Sequence, residues 1–190
     1  MDEFGPADVF ALAERPERDG DLYTADDATA LEAALLHRLE SLPAGGVLVV
    51  DFNDVRVASD AARRLLGRAV RRIGGGGELE DRYIVITRLG LTSYNVEVML
   101  EREGLTVVQR TADGSPAQLM GRLDPAVKET YEFLRKAKTA TAHDVHREFN
   151  QTIQAATNRL TKLFKLGLAR RVAQEAASGG GRQYVYAALT

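Results

Sequence analysis

The sequence predicts an α/β domain over residues 1–111, a linker over 112–123 and an α+β domain over 124–190. Three observations carry that division. Short apolar runs alternate with amphipathic helical stretches as far as residue 111. This is the pattern of a layered α/β domain with helices on a mixed, largely parallel sheet. The stretch "ADGSPAQLMGRLDP" then interrupts both periodicities with turn residues. Beyond it the chain reads as three helices and a hairpin, and the net charge changes sign.

The elements of the first domain follow in order. "ADVFALAE" has strand character. "DDATALEAALLHRLESL" sets Leu31, Leu35, Leu39 and Leu42 along one helical face, and Pro43 with Gly45 and Gly46 ends that helix. "GVLVVDF" is short, continuously apolar and rich in β-branched residues, which predicts a strand buried on both faces. In "SDAARRLLGRAVRRI", Ala62, Leu65, Leu66, Ala69, Val70 and Ile73 make an apolar stripe. Arg63, Arg64, Arg68, Arg71 and Arg72 take mostly the other face, and Ser59 is expected as the N-cap. "GGGGELED" is a break and "RYIVIT" a further apolar strand. "TSYNVEVMLEREG" reads as a helix capped by Thr92 and ended by Gly104, and "LTVVQRT" as a strand.

In the second domain "PAVKETYEFLRKA" is a helix with Pro125 in its first turn. "TAHDVHREF" is a second, opened by a capping-box arrangement of Thr141 and Asp144. "TIQAATNRLTKLFKLG" is a third, capped by Thr152 and stopped by Gly167. "LARRVAQEA", "SGGGR" and "QYVYAAL" read as strand, glycine tip and strand.

Residues 1–123 contain 14 Arg, no Lys and 21 acids, a net charge of −7; residues 124–190 contain 11 basic and 6 acidic residues, a net charge of +5. Such a split points to an anionic partner for the second half. The absence of cysteine excludes disulfides, thiolate chemistry and cysteine zinc sites. No apolar run approaches the roughly 18 residues of a membrane helix. The start "MDEFGPADVF" lacks the pattern of a signal peptide, so no membrane contact and a cytoplasmic location are expected.

The third helix of the second domain is basic, and "NQTIQAATNRLTKLFKLGLARR" has no acidic residue. Helical spacing puts Ile153, Ala156, Leu160, Leu163 and Phe164 on a packing face. Gln154, Thr157, Asn158, Thr161, Lys162 and Lys165 face outward, with Arg159 at the margin. Amides and cations can hydrogen-bond base edges, hydroxyls and lysines suit phosphates, and Ala155 and Ala156 permit close approach. This face has the chemistry of a helix that reads duplex DNA.

The stretch "TAHDVHREFNQTIQAATNRLTKLFKLGLARRV", with the hairpin after it, resembles the winged helix-turn-helix domain of bacterial transcription regulators. The resemblance implies that the third helix enters the major groove, with Gln154, Thr157, Asn158 and Lys162 at the groove. It also implies that Arg182, beside the glycine tip, contacts the backbone as part of the wing.

"VLVVDFNDVRVASDAARRLLGRAV" resembles the strand-loop-helix core of STAS-like domains, and element order extends the likeness over roughly residues 5–111. In phosphorylated members of that family a serine followed by glycine starts this helix. Here Ser59 is followed by Asp60, and Ser59 is read as a cap. Ser59, Asp60 and Asp51 are the regulatory candidates. Asp51, Asn53, Asp54 and Asp60 gather at a strand end, where α/β sheets bind ligands. "GGGGE" lacks the GK[ST] of a phosphate loop, His143 and His146 lack a third metal ligand, and His37 completes no catalytic triad. No catalytic residue, metal or cofactor is expected.

A DNA-binding transcriptional regulator is therefore expected, with duplex DNA as partner and the STAS-like domain supplying protein-partner, ligand or dimer control. Paired half-sites imply a homodimer. The alternatives are an interaction adaptor that does not touch DNA and a nucleotide sensor with its site near Asp51.

Overall fold

A computed structural model describes residues 7–12, 22–23, 25–53, 55–73, 78–111, 115–176 and 180–190. The fold is mixed α/β, and its largest sheet combines parallel and antiparallel pairs. The chain separates into two compact units, residues 1–122 with Thr190 and residues 123–189.

In the first unit the described elements are β1 (Ala7–Ala11), β2 (Leu22–Tyr23), α1 (Ala25–Ser41), β3 (Val47–Asp51), β4 (Arg56–Val57), α2 (Ser59–Ala62), α3 (Arg68–Ile73), β5 (Tyr83–Thr87), α4 (Ser93–Glu103), β6 (Thr106–Arg110) and β7 (Gln118–Gly121). A π-helical turn at Arg63–Gly67 joins α2 to α3. The sheet order is β1-β3-β5-β6-β7, parallel up to β6 and antiparallel at β7. Because the parallel strands lie in sequence order, each crossover steps the same way. Right-handed crossovers then stack the connecting helices on one face. The core reflects this: Leu48, Val50, Ile84, Ile86 and Val107 pack with Leu35, Leu39, Leu65, Leu66, Val96 and Leu100 from the helices. The alternate residues Val47, Val49, Tyr83, Val85 and Val108 are buried too, so β3 is buried on both faces as expected.

Arginines of the α2–α3 helix point away from this core and meet acids of α1, of α4 and of the segment before β5. Arg68 pairs with Glu32 at 3.4 Å, Arg72 with Glu40 at 3.0 Å and with Glu78 at 2.7 Å, and Arg71 with Glu103. Arg68, Arg71 and Arg72 are thus tied into a local lattice of ion pairs at the surface.

Three expectations for this unit need correction. Ser59 does not cap its helix: the N-cap is Ala58, extended at φ −67° and ψ 152°, and no side chain bonds the first turn. Thr92 does not cap α4 either. A 3₁₀ turn at Gly90–Thr92 precedes that helix, and Thr92 Oγ1 instead accepts from Val57 N at 2.8 Å and donates to Val55 O at 2.9 Å. Buried, the hydroxyl satisfies another loop's backbone, a stronger demand than a free amide near solvent. The third correction is the linker. Of residues 112–123, Gln118–Gly121 form the edge strand β7, held to β6 by an antiparallel ladder; 112–114 lie outside the described residues. Met120 sits in the core, and the two adjacent apolar residues Leu119 and Met120 between Gln118 and Gly121 show no strand period in the sequence. Gly104 does end α4, at φ 62°.

The second unit contains α5 (Pro125–Ala137), β8 (Thr139–Ala140), α6 (Ala142–Phe149), α7 (Ile153–Lys165), β9 (Ala169–Ala176) and β10 (Arg182–Ala188). The caps expected at Thr141 and Thr152 form, and Asp124, which the sequence reading did not single out, accepts from Ala126 N and Val127 N ahead of Pro125. Thr141 and Asp144 close a capping box. Thr152 Oγ1 accepts from Ala155 N at 3.1 Å. Gly167 follows α7 at φ 68°. The sheet order is β8-β10-β9, and the two-residue β8, too short to show a period, was not expected. Val127, Tyr131, Leu134, Val145, Ala156, Leu160, Leu163 and Phe164 are buried within it. Tyr131 is fully buried with its hydroxyl donating to Leu189 O at 2.7 Å, and burial, then Glu132, pushes its ionisation well above the usual tyrosine range.

Candidate functional site

The outward face of α7 is the strongest concentration of unneutralised chemistry among the described residues. It exists because α5 and α6 cover the opposite face, which carries Ala156, Leu160, Leu163 and Phe164. Gln154, Thr157, Asn158, Lys162 and Lys165 are exposed, as expected, and Thr161 is half-buried. Between residues 149 and 174 the chain has five cations and no acid. The ion pairs Arg135–Glu132 and Arg147–Asp144 lie on α5 and α6 and do not involve Lys162 or Lys165. The face thus offers both positive charge and hydrogen-bond donors.

The side chains on this face already have local partners. Gln154 Nε2 donates to Asn158 Oδ1 at 3.0 Å, and Thr157 Oγ1 donates to Ile153 O at 2.9 Å. Arg159, expected among the contact residues, is half-buried. Its Nη1 lies 3.4 Å from Ala126 O and its guanidinium 5.5 Å from the Phe149 ring centroid, so it ties α7 to α5 and α6. Ile153, expected on the packing face, is 38% exposed because it opens the helix; Ala156 is buried on that face as expected and so is not available for the close approach it was also offered for. Arg182 is exposed at the start of β10; residues 177–179 of the tip lie outside the described residues.

A feature the sequence reading missed joins α7 to the hairpin. The Arg171 guanidinium lies 4.0 Å from the Phe164 ring centroid and 4.2 Å from that of Tyr184, with Tyr186 at 6.0 Å. Arg171 and Tyr186 are cross-strand partners, and Phe164 reaches them from the end of α7. The signal available in the sequence was the alternation of Tyr184 and Tyr186 on one strand face.

The second cluster lies at the carboxyl end of β3. Asp51 is buried and paired with Arg88, whose Nε lies 2.8 Å from Oδ1; Asn53 N donates to the same oxygen at 2.9 Å. Burial pushes this carboxyl up, but the Arg88 hydrogen bond, the Asn53 amide and the guanidinium's charge outweigh it and hold it below the usual range. Arg88 takes a left-handed backbone, φ 47°, beyond β5, a position that spacing in the sequence does not reveal. Asp51 is thereby committed to an internal ion pair. Ser59 is half-buried and Asp60 exposed nearby in sequence; Asp54 lies outside the described residues. His146 Nδ1 is bonded to Gln151 O, and among the described residues no group of three potential metal ligands forms. No helix among them is long and apolar enough to cross a membrane.

Comparison with protein-family models, curated proteins and solved structures found no match to this chain.

Proposed function

We propose that this protein is a DNA-binding transcriptional regulator, with residues 123–189 acting as a winged helix-turn-helix domain and the first unit acting as a STAS-like control domain. The observation that carries this reading is the face of α7: two amides and two lysines are exposed together on a helix that has no acidic residue on or beside it. The order helix, short strand, helix, helix, hairpin supports the same reading, because it is the element order of a winged helix-turn-helix. In this reading α7 enters the major groove, Gln154 and Asn158 read base edges, Lys162 and Lys165 supply charge, and Arg182 contacts backbone. A homodimer would engage two half-sites.

The test is fluorescence anisotropy of a labelled random duplex with the full chain at two salt concentrations. A DNA-reading α7 gives an affinity that falls steeply with salt as counterions are released. Salt-independent or absent binding at low ionic strength rejects the reading.

A second reading is favoured by Leu91 and Tyr94, which are 84% and 74% exposed where α4 begins. Paired exposed apolar side chains suit a protein contact, as an interaction adaptor requires. Leu91→Ser with Tyr94→Ser would abolish partner recruitment in an adaptor and leave duplex affinity unchanged in a regulator.

A further inference from the structure

We propose that α7 selects adenine in the major groove through the coupled amides of Gln154 and Asn158, an inference that rests on the DNA-reading function proposed above. The two residues are one helical turn apart, so their side chains share a ridge. Both are exposed, and Gln154 Nε2 donates to Asn158 Oδ1 across 3.0 Å. That bond couples the two amides: turning Asn158 alone would set N–H against N–H, so its oxygen faces Gln154 unless both amides turn together.

The coupled amide retains both protons of Nδ2 and the second lone pair of Oδ1. It therefore offers one donor and one acceptor in a single plane. Adenine presents the complement in the major groove, an N7 acceptor beside an N6 donor. Guanine presents two acceptors, N7 and O6. Against guanine the Oδ1 lone pair would face the O6 lone pairs, and relieving this requires Gln154 to turn as well or its bond to break. A free asparagine turns alone; the coupled pair does so only at the cost of that bond or of a second rotation.

The neighbours on α7 leave this as its base-discriminating group. Arginine is the usual reader of guanine, but the helix's one arginine, Arg159, is engaged with Phe149 and the Ala126 carbonyl. Thr157 has spent its only proton on Ile153 O. Lys162 and Lys165 bring positive charge to the same face, without the fixed planar geometry of an amide.

The experiment is selection of duplexes from a random pool by the full chain, followed by titration of the enriched duplex carrying adenine, 7-deazaadenine or guanine at the selected position. The expected motif contains a fixed A·T pair. 7-Deazaadenine, which lacks the N7 acceptor, should weaken binding roughly 10- to 100-fold, in line with one lost specific base contact. Gln154→Met keeps chain length but cannot donate. It should lower the adenine-over-guanine ratio at that position about fivefold or more with no shift in melting temperature. Lys165→Ala should weaken both duplexes together and leave the ratio as it was. Enrichment of guanine, equal binding of adenine and 7-deazaadenine, or an unchanged ratio in Gln154→Met overturns adenine selection while DNA binding stands. Failure to bind any duplex at low salt overturns both.

Discussion

At the scale of single residues, the same hydroxyl chemistry has different consequences at different helix starts. Thr141 and Thr152 each accept a backbone N–H of their own helix, whereas Ser59 and Thr92 do not. Thr141→Ala and Thr152→Ala should each cost about 1 kcal/mol, read as a shift in the urea midpoint. Ser59→Ala should stay within about 0.5 kcal/mol, and a loss equal to that of Thr141→Ala would show that Ser59 caps after all. Two aspartates make stability depend on pH. Burial opposes the charge of both. For Asp51 the Arg88 bond outweighs it, and for Asp144 the Thr141 bonds and then Arg147 do, so both lie below the ordinary 3.8 when folded. Their contribution is present above 3.8 and is lost as pH falls through the lower folded values. Urea midpoints should therefore fall as the pH drops below 3.8, and Asp51→Asn should flatten the dependence.

At the scale of elements, the close approach of β7 to the end of α4 depends on a glycine. Gly121 has φ 98°, and a Cβ there would lie 2.2 Å from Leu105 O, so Gly121→Ala must displace the edge strand. Its cost should exceed that of Gly104→Ala, where φ is 62° but nothing lies within 4 Å of the added carbon. The latter carries only the left-handed penalty, roughly 1–2 kcal/mol. Thermal melts of the two variants give the comparison. The helix α7 divides the same way between stability and binding. Leu160 is fully buried, and Leu160→Ala should cost about 2–5 kcal/mol. Lys165→Ala and Arg182→Ala should leave the melting temperature in place and each lower the salt slope of duplex binding by about one.

At the scale of the whole molecule, the division of the chain falls after Arg122, beyond the strand that the sequence reading assigned to a linker. A fragment ending at residue 122 should melt cooperatively, and one ending at residue 111 should melt at lower temperature, because it loses the β6–β7 ladder and the burial of Met120. Equal melting temperatures for the two fragments would return 118–121 to the linker. Limited proteolysis of the full chain should leave β7 with the N-terminal fragment for the same reason.

The sequence alone was enough for the alternation of strands and helices, the double-sided burial of β3, the caps at Thr141 and Thr152, and the exposed face of α7. Each of these depends on residues within a few positions of one another, where helical or strand period and side-chain reach decide the outcome. The tertiary structure decided the rest. Thr92 left its helix for the backbone of Val55 and Val57, Arg159 turned to Phe149, and Arg88 came to Asp51. Arg171 stacked between Phe164 and Tyr184, and Gln118–Gly121 became a strand by pairing with β6. In every one of these cases the partner is distant in sequence or unmarked by any period. A side chain with several hydrogen-bonding options takes the one whose loss would leave a buried group unsatisfied, and which group is buried is known only once the chain has folded.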